Sequence, residues 1–151
     1  MNRLIYKLAT TNKELQGALE VRTKVFVEEQ GISQKEEYDG YDNEALHVVA
    51  MNRGKVIGTA RIRFLFHNRQ AKIERMAILT SFRRRGIGSG MLSFLNKQVV
   101  NKQVDELVLH AQYSVIAFYK SCGFKETGLP FLEAKIKHTK MTKQIIEKIK
   151  E

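Results

Sequence analysis

One stretch of eight residues constrains this chain more than any other. Arg83-Arg84-Arg85-Gly86-Ile87-Gly88-Ser89-Gly90 stands between an apolar, strand-like run (Met76 to Leu79) and a helix-like pattern from Met91 onward. Glycine lets the backbone turn its N–H groups toward a ligand without interference from a Cβ. The first N–H groups of a helix have no partner within it, and the helix dipole adds partial positive charge there, so an anion is favoured. Three guanidiniums beside that point match phosphate oxygens two at a time. The competing reading is a glycine-rich helix start that binds nothing.

Two phosphate loops are excluded by spacing. A Walker loop needs Gly-Lys-Ser/Thr after four spacer residues, and five positions past Gly86 the chain has Met91. A dinucleotide fingerprint needs a third glycine at that same position and normally opens its domain.

The 151 residues, 43% of them hydrophobic, suit one domain with a real core. The expectation is a single domain over 1–151 with a basic extension at about 142–151. The sole cysteine, Cys122, cannot form an internal disulfide, which points to a reducing cytoplasm. No apolar run approaches membrane-spanning length, so no membrane partner is expected. A net charge of +10 raises nucleic acid as a partner. The charge is uneven, however: Glu28, Glu29, Glu36, Glu37, Asp39, Asp42 and Glu44 face only Lys35 within their stretch. Aromatic residues are not interleaved with the basic ones as stacking platforms would be, which speaks against nucleic acid.

In order, Leu4 to Leu8 reads as a strand. Thr11-Asn12-Lys13-Glu14 has capping-box spacing, and Leu15, Leu19, Arg22 and Phe26 recur at helical intervals within a helical region 12–30. The acidic stretch from Gln30 to Asn43 reads as a loop. Ala45–Met51, Lys55–Phe66 and Ala71–Leu79 read as an antiparallel meander, with Asn52-Arg53-Gly54 as the first turn. Ile87, Met91, Leu92, Leu95 and Val99 share a helical face. Glu106–Ala111 is a buried, parallel-type strand. Ser114 caps a helix ending at Cys122-Gly123, and Phe124–Thr127 and Lys135–Met141 are the last strands, with Leu129-Pro130 breaking between them.

Arg83, Gly86 and Gly88 also spell R-x-x-G-x-G, and here the chain resembles the GNAT superfamily of N-acetyltransferases, whose acetyl-coenzyme A loop has the form Q/R-x-x-G-x-G/A. Ile73-Glu74-Arg75-Met76-Ala77-Ile78 precedes the loop at the family's spacing. Ala117-Phe118-Tyr119-Lys120-Ser121-Cys122-Gly123-Phe124 resembles its A-x-x-x-Y-x-x-x-G-F element. Val21-Arg22 to Phe26-Val27, Glu29-Gln30-Gly31, Asp39, Asp42, Ala45 and His47 look like the small bacterial ElaA-like branch. So do Phe131, Glu133, Ile136, His138 and Met141, although Lys135 and Lys137 replace that branch's glycine and proline.

The resemblance implies an α/β (α+β) GNAT fold: a mixed sheet of six to seven strands flanked by about four helices. It implies transfer of an acetyl group from acetyl-CoA to a primary amine by direct attack in a ternary complex, without a metal, by a monomer or homodimer. Arg83, Arg84, Arg85, Gly86, Ile87, Gly88, Ser89 and Gly90 would hold the coenzyme, with Phe118 and Tyr119 beside it. Backbone groups of Met76, Ala77 and Ile78 would meet its arm and the acetyl carbonyl. Arg22, Glu28, Glu29 and His138 would face the acceptor.

A primary amine has a pKa near 10.4, so only about one molecule in a few thousand is ready to attack at pH 7. Glu74 is the first candidate to take its proton, against an ion pair with Arg63; His47 and His110 are the others. Tyr119 would support the leaving sulfur chiefly by a hydrogen bond, since a phenol gives its proton to a thiolate uphill by about 2 kcal/mol. The acidic segment, if it lines the site, would select a small cationic amine. The alternatives are a nucleic-acid-binding module and a non-catalytic acyl-CoA sensor.

Overall fold

Thr11 starts the first helix as its spacing predicts. Its hydroxyl accepts from Glu14 N at 3.1 Å, while Glu14 Oε1 accepts from Thr11 N at 3.2 Å. Strand β1 (Leu4–Leu8) precedes it, α1 (Asn12–Arg22) follows, and the coil then widens into a π-helical segment, Thr23–Glu29. The computed structural model describes residues 3–145. The helical region buries Ala18, Val21, Arg22, Val25 and Phe26, a face that leaves Leu19 exposed where the periodicity turned it inward. Gly17 lets the helix lie close on the sheet, since a Cβ there would stand 2.6 Å from Val56 Cγ2.

The acidic stretch is not the plain loop expected. It holds a short helix, α2 (Gln34–Glu37), and a 3₁₀ turn at Asp42–Glu44, both too short for periodicity to reveal. Strands β2 (Leu46–Asn52) and β3 (Lys55–Leu65) form an antiparallel hairpin through Arg53 and Gly54, both at positive φ, as a two-residue primed turn requires. Then come β4 (Gln70–Ile78) and α3 (Ile87–Val99), whose expected face of Ile87, Met91, Leu92, Leu95 and Val99 is buried. β5 (Glu106–Gln112) runs parallel to β4 over Gln70–Ile73.

A 3₁₀ turn at Tyr113–Val115 leads into α4 (Ile116–Ser121). Val115, not Ser114, occupies the N-cap position. β6 (Lys125–Glu133) and β7 (Ile136–Gln144) are the last of the described elements. Leu129 and Pro130 lie inside β6 rather than between strands. They sit at a register shift on the edge of the sheet, where a residue without an N–H costs no ladder bond. Thr142–Gln144, read as the start of an extension, belong to β7; Lys148 and Lys150 lie outside the described residues.

Among the described residues, seven strands form one mixed sheet in the order β1-β2-β3-β4-β5-β7-β6, accompanied by four α-helices. The chain groups into two compact units. The first takes the chain up to Arg63 with Glu74–Leu95; the second takes Phe64–Ile73 and the chain from Asn96 onward. The first has a core of Ala18, Val21, Val25, Phe26, Val49, Val56 and Ala77. In the second, Leu107, Val108, Leu109, Phe124 and Met141 are buried.

Candidate active site

In the first unit, β4 passes through a 3₁₀ turn (Thr80–Phe82) into the Arg83–Gly86 loop and α3. Arg84 and Gly86 both adopt positive φ, 62° and 78°. A Cβ on Gly86 would meet nothing within 4 Å, so conformation and not crowding demands glycine there. Gly86 O accepts from Gly90 N at 3.0 Å, closing the first helical turn. Gly86 and Ser89 are exposed at this helix mouth, whereas Ile87 and Gly88 are buried. Gly90 has a different reason: a Cβ there would lie 2.1 Å from the Tyr6 hydroxyl oxygen. Its glycine serves packing against β1.

Arg83 differs from the expected phosphate ligand. Its Nη atoms donate to both Glu29 oxygens at 2.6 and 2.7 Å, and its Nε donates to Ile78 O at 2.8 Å. It ties the loop to the end of β4 and to the π-helical segment, and occupies Glu29 in doing so. Arg84 and Arg85 remain exposed, with Arg85 5.6 Å from the Phe82 ring centre.

Just upstream, β4 bends. Arg75 has a φ of 54°, rare for a residue with a side chain, and the parallel pairing to β5 stops at Ile73. Gly58 of β3 lets the strand approach, its Cβ position standing 3.4 Å from Ala77 O. The Arg75 side chain reaches to α2, donating to Glu37 O at 3.0 Å and Glu37 Oε2 at 3.0 Å.

Arg75 is one corner of a network that sequence reasoning missed. Arg22 donates to Glu37 and Asp42, and Arg61 donates to Asp39, Asp42 and Glu74. Arg63 donates to Glu74 and lies 3.8 Å from the Tyr41 ring centre. Four arginines thus meet four carboxylates, and Arg22 and Arg61 are almost wholly buried. Burial pushes the Asp39 carboxyl up, but the Arg61 hydrogen bond, the Tyr41 N–H and the charges of Arg61 and Arg75 outweigh it and hold it well below the usual range. Asp42 is likewise lowered: against burial stand its hydrogen bonds from Arg22 and Arg61 and their charges.

Three expectations change as a result. The Arg22 guanidinium, expected to face the acceptor, is buried and bonded to Glu37 and Asp42. Glu74 Oε1 accepts from Arg61 and Arg63, and Oε2 from Arg63, which is the ion-pair role weighed against catalysis. Glu37, Asp39 and Asp42 are occupied by arginine, so the acidic segment is not an array of seven charges open to a substrate. His47, also proposed as a base, is buried with Nε2 2.9 Å from Asp42 O. Spacing could not reveal the network, because its members come from four separated segments.

In the second unit, Tyr119 of α4 is buried, edge-on to Phe118 and Phe124 with ring centres 5.1 and 5.9 Å away. Burial, then the neighbouring Cys122, push its phenol far up, so it stays protonated. Cys122 Sγ lies 3.9 Å from Ser121 Oγ, a hydroxyl and not an imidazole that would activate it. Across the strands, Gln112 pairs with His138 and His138 with Phe131. Side chains alternate, so His110, Glu133, Phe131 and His138 share one face of the sheet. His110 Nδ1 lies 3.1 Å from Glu133 Oε1, and His138 Nε2 3.8 Å from Glu133 Oε2. Among the described residues, no group of three or more His, Cys, Asp or Glu is placed to hold a metal ion.

The description "Acetyltransferase (GNAT) domain" matches residues 8–145 as a family. The chain belongs to the GNAT acetyltransferases. Among relatives of this GNAT chain, Bacillus subtilis YyaT is 34% identical over 146 residues, covering 95% of this chain and 97% of YyaT. The crystal structure of Escherichia coli ElaA has the same fold, with a TM-score of 0.80 at 21% identity over 95% of this chain and 99% of that one. A GNAT family acetyltransferase from Elizabethkingia anophelis, solved with acetyl-CoA bound, superposes with a TM-score of 0.70 at 18% identity, covering 94% and 98%. In this GNAT chain the stretch from Arg83 to Gly90 follows β4 through the 3₁₀ turn Thr80–Phe82. No helix of the described residues is long and apolar enough to cross a membrane.

Proposed function

We propose that this chain is an N-acetyltransferase that moves the acetyl group of acetyl-CoA to a small, cationic primary amine by direct attack in a ternary complex. The observation that carries this reading is the helix mouth of α3. There Gly86 is held at positive φ with open space over it, immediately after a strand bent at Arg75, in a chain of the GNAT family. An exposed cluster of Arg84, Arg85, Gly86 and Ser89 at a helix N-terminus suits a diphosphate. Bound there, acetyl-CoA supplies a thioester carbonyl as the electrophile.

The remaining roles follow from the chemistry. N–H groups of Met76, Ala77 and Ile78 are the proposed donors to the oxygen that becomes negative as the amine adds, a role preorganised dipoles fill well. The amine nitrogen bonds to the carbonyl carbon and releases one proton to solvent, the carbon–sulfur bond breaks, and the electron pair leaves on sulfur. Phe118 flanks the buried Tyr119, whose retained proton supports that sulfur by a hydrogen bond. Cys122, without an imidazole beside it, favours direct attack over an acyl-enzyme. The acceptor meets the carboxylates that arginine does not occupy, Glu28, Glu36 and Glu44, all exposed.

Isothermal titration with coenzyme A and acetyl-CoA tests the reading, alongside thiol release from acetyl-CoA with spermidine, kanamycin and glucosamine. Saturable coenzyme A binding with amine-dependent thiol release is expected. A protein indifferent to coenzyme A and acetyl-CoA would overturn it.

A further inference from the structure

We propose that Arg75 is a positioning residue for acetyl transfer: by gripping the end of α2 it holds its own backbone in the left-handed conformation that bends β4, and so sets where the Ala77 and Ile78 N–H groups stand. The inference rests on the acetyltransferase reading and deepens it. Arg75, its partners and the segment it positions all lie in the first compact unit.

In an extended strand successive side chains point to opposite faces. Arg75 would then follow Ala71 and Ile73, both buried, and carry its guanidinium to their face, where a charge is costly unless paired. Glu74, its neighbour, would point the other way. Instead both enter one network. Arg61 Nη2 donates to Glu74 Oε1 at 2.8 Å and to Asp39 Oδ2 at 2.6 Å, and Asp39 Oδ2 also accepts from Arg75 Nη2 at 3.3 Å. The φ of 54° at Arg75 brings two consecutive side chains to one side.

That φ needs support, because the left-handed region is disfavoured about tenfold for a residue with a Cβ. The support comes from α2. The last carbonyls of a helix have no partner within it, and Arg75 meets those of α2: Nη2 donates to Glu37 O at 3.0 Å and to Glu36 O at 3.4 Å, while Nε donates to Glu37 Oε2 at 3.0 Å. Glu37 is itself fixed, since Oε2 also accepts from Arg22 Nε and Nη2 at 3.0 and 2.8 Å, and Arg22 is almost wholly buried. The anchor thus begins at a buried arginine of α1 and reaches β4 through one carboxylate. Downstream the strand end is held separately, with Leu79 N donating to Ile57 O at 2.9 Å and Arg83 Nε to Ile78 O at 2.8 Å. The bend at Arg75 then directs the path of Ala77 and Ile78 toward that fixed end.

The test compares the wild type with Arg75→Ala and Arg75→Gly. Backbone chemical shifts report φ at position 75, calorimetry gives the coenzyme A Kd, and thiol release gives kcat and KM with the amine from the panel above that is turned over fastest. Glycine reaches positive φ without a Cβ penalty, and alanine does not. Arg75→Ala should move residue 75 to negative φ and lower kcat about tenfold, with coenzyme A affinity retained because the Gly86 helix mouth lies beyond the bend. Arg75→Gly, which lacks the grip just as fully, should keep most of the rate. A role in stability alone would lower both melting temperatures without separating the two kcat values. Should Arg75→Ala not fold, Arg75→Gln takes its place with the same expectation. A left-handed residue 75 in Arg75→Ala, which needs no acceptor to detect, would overturn the positioning role and leave the acetyltransferase reading intact. So would a wild-type kcat in that variant, or equal kcat values in the alanine and glycine variants. A wild type that binds no coenzyme A would overturn both readings.

Discussion

Gly86, in the loop before α3, and Gly90, in the first turn of α3, sit four residues apart and are glycine for unrelated reasons. Replacing Gly86 by alanine forces a Cβ into the left-handed region, at a cost of about 1–2 kcal/mol with no atom in its way. Replacing Gly90 drives a methyl group into the Tyr6 ring, for about 1–3 kcal/mol. Only the second loss should be relieved by shortening Tyr6, so Gly90→Ala with Tyr6→Val should show strong coupling in urea titrations, and Gly86→Ala with Tyr6→Val none. For Tyr119→Phe, which removes only the hydroxyl, turnover should fall with coenzyme A affinity retained. A full rate would take the hydroxyl out of the reaction.

At the scale of elements, the segment from α2 to the Asp42 turn is held by arginines from α1, β3 and β4. Removing one member of a buried ion pair costs about 3–5 kcal/mol because it strands the others, so Arg61→Leu should be among the most damaging substitutions in the chain. Asp39 and Asp42 have folded pKa values below their unfolded ones. Their stabilisation is complete above the ordinary carboxylate value of 3.8 and is lost as pH falls below it toward the lowered folded values. Melting temperature should drop in that window for the wild type and drop less in Arg61→Leu. The network also separates two effects in the acidic stretch. Neutralising Asp39 should lower stability, whereas neutralising exposed Glu36 should leave it within about 0.5 kcal/mol and raise KM for a cationic amine if that charge attracts it.

Over the whole molecule, coenzyme A at a hundred times its Kd should stabilise the chain by about 2.7 kcal/mol, a rise in melting temperature of about 5–10 °C for a chain this size. What the sequence by itself determined is whatever local chemistry sets: the Thr11 capping box, the Arg53-Gly54 turn, the buried face of α3, the left-handed glycine opening that helix, and through them the order of elements and the family. Those features depend on residues a few positions apart, where spacing is geometry. Tertiary structure decided the use of the charged side chains. Arg22, Arg61, Glu74 and Asp39 each have several possible partners in the sequence, and only the folded strands bring specific ones within hydrogen-bond reach. Arg83 was brought to Glu29 and Ile78 O in the same way, and Glu133 to His110 across an intervening strand. An ion pair forms by distance in space, and the chain does not encode that distance until β3, β4 and β5 have been laid side by side.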